Sequence, residues 1–85
     1  MAVLTFKHEN KEYTSKPFDF KAMCLVNEGH NNEKFKGPLM MCDEAVKYLF
    51  DDAPLEKLSP GKRAALCTKC WSLYVEELNN SAKND

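Results

Sequence analysis

The chain has 85 residues, 44% of them hydrophobic and 29% charged, with three glycines and four prolines, which excludes a fibrous or disordered polymer and fits one globular domain. A chain this short buries only about 60–65% of the surface its unfolded form exposes, so its core has to be compact. The formal net charge is −1 and the basic residues are scattered; without a basic patch there is no electrostatic footprint for a phosphate backbone, and nucleic acid is not an expected partner.

No run approaches the ~18 apolar residues of a membrane span. The apolar start Met1-Ala2-Val3-Leu4-Thr5-Phe6 is interrupted by Lys7, His8 and Glu9 before a signal-peptide core forms. The expectations are therefore no membrane association, a cytoplasmic location and a reducing compartment. There the four cysteines are free thiols that behave as small buried hydrophobes.

In chain order, Val3-Leu4-Thr5-Phe6-Lys7-His8 alternates with Leu4 and Phe6 on one face, the pattern of a half-buried strand. Lys11 to Lys16 forms a second alternating run, and the Glu9-Asn10 step between them suits a tight turn because Asn tolerates positive φ. A two-stranded hairpin over about residues 3–16 follows. It would be marginal alone, so one face must rest on helices.

Pro17 ends the second strand, and Asp19 is placed to cap a helix beginning at Phe20. Phe18 and Met23 stand at the two positions of a hydrophobic staple. The first helix is expected over about 20–28, with Phe20, Met23, Cys24 and Leu25 or Val26 inward and Gly29 as its stop. Gly29 to Gly37 is polar and reads as a surface loop. Pro38 opens a second helix to about residue 51, with Leu39, Cys42, Ala45, Val46, Leu49 and Phe50 on its apolar face. Leu55 and Leu58 tuck under as a short turn after Pro54. Ser59-Pro60 then opens a third helix to about Leu78, striped by Ala64, Cys67, Trp71, Tyr74, Val75 and Leu78 and widened by Leu66, Cys70 and Leu73. Residues 79–85 read as a disordered tail. The fold class is α+β: one domain over residues 1–78, an N-terminal hairpin on three helices.

The one motif with a chemical look is Cys67-Thr68-Lys69-Cys70. In a redox motif the first Cys lies at a helix N-terminus, where the dipole lowers its pKa. Cys67 lies about two turns in, no strand precedes it, and core packing is the preferred role. A zinc site needs four ligands, usually as two close pairs. Here one pair joins two singles at apolar helical positions, so Cys24, Cys42, Cys67 and Cys70 stand as a zinc- or thiol-module alternative to core packing. His8 and His30 have no nucleophile or carboxylate at motif spacing and are expected to be solvated. No catalytic residues and no cofactor are expected.

Lys62 and Arg63 in the first turn of the third helix and Glu76-Glu77 in its last oppose the helix macrodipole. The expected compensation is a return of Lys62 or Arg63 toward Asp51-Asp52. Met40 and Met41, with Tyr48 and Tyr74, are the candidate partner-binding residues, because flexible Met side chains repack cheaply against a client. The competing role for each is core.

The hairpin, then Phe18-Asp19-Phe20-Lys21-Ala22-Met23-Cys24, the Glu44-Ala45 helix and Cys70-Trp71-x-x-Tyr74-Val75-Glu76, in this order and spacing, resemble the small tail assembly chaperones of long-tailed bacteriophages and prophages. The similarity covers most of residues 3–78, and its individual motifs are mainly helix-entry and core-packing signatures. The resemblance implies a non-enzymatic protein of the bacterial host cytoplasm. It would bind the tape-measure protein during tail morphogenesis, keep its long helices soluble and help recruit tail-tube subunits. Homo-oligomers, and a frameshifted longer form alongside the short one, belong to the same picture. The family carries over no catalytic or cofactor residues. A small helical nucleic-acid-binding regulator, suggested by size and helix count alone, is the remaining alternative.

Overall fold

The computed structural model describes residues 2–31 and 38–84, with the backbone alone at His30, Asn31, Pro38, Met40 and 81–84. Strands β1 (Thr5–His8) and β2 (Lys11–Thr14) pair antiparallel with Phe6 opposite Tyr13, and helices α1 (Phe20–Asn31), α2 (Pro38–Leu49) and α3 (Pro60–Asn84) follow. A 3-10 turn at Leu55–Lys57 joins α2 to α3. The α+β architecture is the one the alternation and caps predict.

Both loop residues of the hairpin, Glu9 and Asn10, have positive φ (51° and 64°), the geometry of a two-residue turn whose twist matches the strands. Phe6 anchors the hairpin: its ring stacks on Tyr13 at 5.1 Å and meets Phe50 edge-on at 5.0 Å. Ser15 closes the base. Its buried hydroxyl accepts the Leu4 N–H at 2.8 Å and donates to the Lys16 carbonyl at 2.7 Å, so no polar group is stranded there. The Lys16 N–H then donates to the Leu49 carbonyl at 3.0 Å, satisfying one of the carbonyls left open at the end of α2.

Asp19 caps α1 through the Ala22 N–H at 3.0 Å, as its position predicts. The other carboxylate oxygen accepts the Tyr48 hydroxyl at 2.5 Å, which ties the start of α1 to the end of α2. Phe20 departs from expectation: it is 81% exposed, while Phe18, Ala22 and Val26 are buried. Phe20 lies on the far side of the helix from Ala22 and Val26, and Phe18 enters the core ahead of the first turn instead.

Gly29 does not stop α1, which continues to Asn31. A Cβ at Gly29 would stand 2.4 Å from the Met41 carbonyl oxygen, so this position is where the backbones of α1 and α2 approach most closely among the described glycines. The rest of the loop expected over 29–37 lies outside the described residues.

Helix α2 ends at Leu49 rather than residue 51. It buries Met41, Cys42, Ala45, Val46 and Leu49, a face wide enough to pack on α1 and α3 at once. Its expected core residue Leu39 is instead 48% exposed.

In α3 the Ser59 hydroxyl accepts the Lys62 N–H at 3.2 Å, confirming the helix start. Leu66, Cys67 and Cys70 are buried, Trp71, Leu73 and Tyr74 pack on the core partly covered, and Leu78 is exposed. Residues 79–84, expected as a disordered tail, continue the helix. No Gly or Pro follows Leu78 to stop it.

The compensation for the basic start of α3 comes from Asp43 and a backbone carbonyl, not from the expected Asp51-Asp52. Arg63 donates to Asp43 Oδ1 from Nε at 3.1 Å and Nη2 at 2.9 Å, and Lys62 Nζ donates to the Lys7 carbonyl at 3.3 Å. Asp51 pairs with Lys16 at 2.9 Å. No described helix is long and apolar enough to cross a membrane.

Candidate interaction groove

Three of the four expected partner-binding residues, Met41, Tyr48 and Tyr74, fall in or against the core. Met41 is 2% exposed against α1, so it offers no adaptable surface. Tyr48 and Tyr74 are half-buried. Tyr48 is held by Asp19 and covered by the ammonium groups of Lys16 and Lys21, each 4.9 Å from its ring centre. Tyr74 stacks on Trp71 at 5.5 Å, and its hydroxyl donates to Asn27 Oδ1 at 3.4 Å, a long bond. The side chains of Met40 and His30 lie outside the described ones. Of the four expected partner-binding residues, then, Tyr48 and Tyr74 retain an open edge.

The Asp19–Tyr48 bond is poised between two titrations. The Tyr48 hydroxyl, and after it the Ala22 N–H, hold the Asp19 carboxyl below the usual carboxylate range; the Asp19 carboxylate, and after it burial, push the Tyr48 phenol above its usual range. A depressed acid contributes stability above its unfolded pKa and loses it as pH falls through the folded one. A raised phenol contributes below its unfolded pKa and loses it as pH rises through the folded one. Tyr48→Phe is therefore expected to lower the melting temperature by a constant amount between about pH 5 and pH 9. The gap to wild type should close on both sides. Asp51, held low by Lys16, melts out in acid in both proteins and cancels. Parallel melting profiles across the whole pH range would contradict this account.

The cysteines do not form a ligand set. All four are free; Cys42, Cys67 and Cys70 are buried and Cys24 is partly exposed. Among the described residues no group of three or more His, Cys, Asp or Glu side chains is arranged to hold a metal. Burial, then the nearby Asp43 carboxylate, push the Cys67 thiol up to about 11. Cys42 and Cys70 share a hydrogen bond that raises Cys70, with burial acting the same way, and lowers Cys42 against the effect of burial. Neither member of the CxxC pair carries the low pKa a reactive thiol requires. His8 is not solvated as expected: its side chain is 17% exposed, and its buried Nε2, 3.8 Å from a Glu9 carboxylate oxygen, has no hydrogen-bond partner among the described residues.

What the sequence does not announce is a groove of about 620 Å³ between the start of α2, the 3-10 turn and the first turns of α3. Its apolar floor is set by Leu55 and Leu58 from the turn and by Ala64 and Cys67 one turn apart on α3, with half-exposed Leu39 at one wall. The Asp43–Arg63 ion pair lines it, as do the exposed Glu44 and Glu56 that form its rim. The volume is in the range of ligand sites, although the trough is open to solvent on one side. Its nearest sequence signal is Pro54, which with Pro60 brackets Leu55 and Leu58 and bars one continuous α-helix from α2 into α3. Comparison with protein-family models, curated proteins and solved structures finds no match to this chain.

Proposed function

We propose that this chain is a non-enzymatic interaction protein of the tail-assembly-chaperone type, whose client is the tape-measure protein of a long-tailed phage and which helps to recruit tail-tube subunits. The supporting observation is the open, apolar-floored groove with Leu39 half exposed at its wall. A trough of this kind accepts the side-chain ridge of an amphipathic helix, the mode by which a small protein shields a helical client. The element order, a hairpin followed by three helices, is the order on which the resemblance rests. A bacterial cytoplasmic location follows from the same reading.

Co-expression with fragments of a tape-measure protein encoded beside it tests the proposal. The expected result is that fragments insoluble alone become soluble and co-purify with this chain in a defined ratio. Fragments that stay insoluble at every ratio, with no complex by size exclusion, would overturn it.

A further inference from the structure

We infer that the groove takes a cationic amphipathic helix, whose apolar residues seat on Leu55, Leu58 and Leu39 while its Lys or Arg side chains meet Glu44 and Glu56. The inference rests on the proposed client-binding role and adds the chemistry of the client. Three carboxylates, Asp43, Glu44 and Glu56, line the groove against one guanidinium, and Arg63 spends its charge on Asp43 at 2.9 Å. Glu44 is 71% exposed and has only Lys47 at 3.4 Å, an i,i+3 surface pair worth little and easily exchanged. Glu56 makes no ion pair among the described residues. Lys47 is shared between Asp43 at 3.3 Å and Glu44 at 3.4 Å, so three carboxylates face two cations and the groove keeps one net negative charge beside its apolar floor, with Glu56 its unpaired member among the described residues.

Charge complementarity selects among occupants. An anionic helix would bring like charges together at close range, which is how wrong partners are rejected. A second copy of this chain offering the end of α3 would bring Glu76 and Glu77 to an acidic rim. A helix with apolar residues at i, i+3, i+4 and i+7 and basic residues on its flanks satisfies both the floor and the rim.

The test uses two labelled synthetic helices of about 18 residues, long enough to hold helical structure. They share one Leu stripe and differ in Lys or Glu flanks. Anisotropy titrations at about 50 mM and about 300 mM salt should show the Lys-flanked helix binding at least about tenfold tighter, with the preference shrinking as salt screens it. The double variant Glu44→Lys, Glu56→Lys should reverse the preference, and Leu39→Asp should weaken both peptides. These positions are exposed, and an unchanged melting temperature confirms that the variants fold. Equal binding of the two helices, no binding of either, or a preference that survives the double reversal would overturn the inference. Solubilised tape-measure fragments without a charge preference would remove the groove chemistry and leave the proposed function standing. A charge preference without any effect on tape-measure fragments would do the opposite.

Discussion

Gly29→Ala is expected to lower the thermal midpoint by about 5–15 °C, whereas the same substitution at Gly61 leaves it unchanged or raises it slightly. Two effects of opposite sign compete at both sites. Replacing a helical Gly by Ala gains up to about 1 kcal/mol of helix propensity. At Gly61 the new methyl meets nothing within 4 Å, so the gain stands, reduced because the residue lies in the first turn of α3. At Gly29 the methyl would sit 2.4 Å from the Met41 carbonyl oxygen and 2.9 Å from its Cα, and these are backbone atoms of a packed helix that cannot swing aside as a side chain could. Relief requires α1 and α2 to separate along a face that buries Ala22, Val26 and Met41. Overpacking of this kind costs about 1–3 kcal/mol, and the upper part of that range exceeds the propensity gain. The net loss is then about 1–2 kcal/mol, which in a domain of this size gives the stated shift. Thermal melts of both variants with wild type check the shift, and urea titrations check the free-energy difference. A Gly29→Ala protein as stable as the parent would show that the close helix crossing carries no weight in the fold.

Gly29 also shows where local sequence signals stop being sufficient. A Gly after Asn27-Glu28 satisfies the rule for a helix stop, and it equally satisfies the rule for a close backbone approach; only the position of a second helix decides between them, and that information is not local. The two phenylalanines around Asp19 pose the same problem. Both are apolar and both flank the cap, but helix phase turns Phe20 away from Ala22 and Val26 and leaves Phe18 to enter the core. Features fixed by a few adjacent residues were legible for that reason: the positive-φ turn at Glu9-Asn10, the Asp19 cap and the Ser59-Pro60 start. The groove was not legible as a cavity, because its walls come from three segments whose relative placement no local pattern gives. For Met41 the sequence leaves partner binding and core both open, for a related reason. Its neighbour on the inside is Gly29, which has no side chain to complete an apolar pattern.

Alkylation of the native protein at pH 8 is expected to modify Cys24 and to leave Cys42, Cys67 and Cys70 largely untouched until denaturant is added. Thiolate supply and access both act on the buried three. With the Cys67 thiol pushed up to about 11, only about one molecule in a thousand carries the thiolate at pH 8, against roughly a quarter for an unperturbed Cys of pKa ~8.5; this alone slows Cys67 roughly two hundredfold. Cys70 is raised as well, by its hydrogen bond with Cys42 and by burial. Cys42 is the sterner test, because the same hydrogen bond lowers its pKa and would favour reaction. Cys42 is nevertheless fully buried between α2 and α3, so reagent reaches it only through opening of the core, and protection there measures packing rather than protonation. Mass spectrometry of peptides after timed quenching resolves the four sites. Fast native modification of Cys67 or Cys70, or stoichiometric zinc in the purified protein, would return the CxxC pair to candidacy as a thiol or metal module and weaken the case for an interaction protein. Protection of all three, released together by denaturant, would mark Cys67 and Cys70 as packing residues of α3 and leave the acidic groove beside Cys67 as the part of that helix available for a partner.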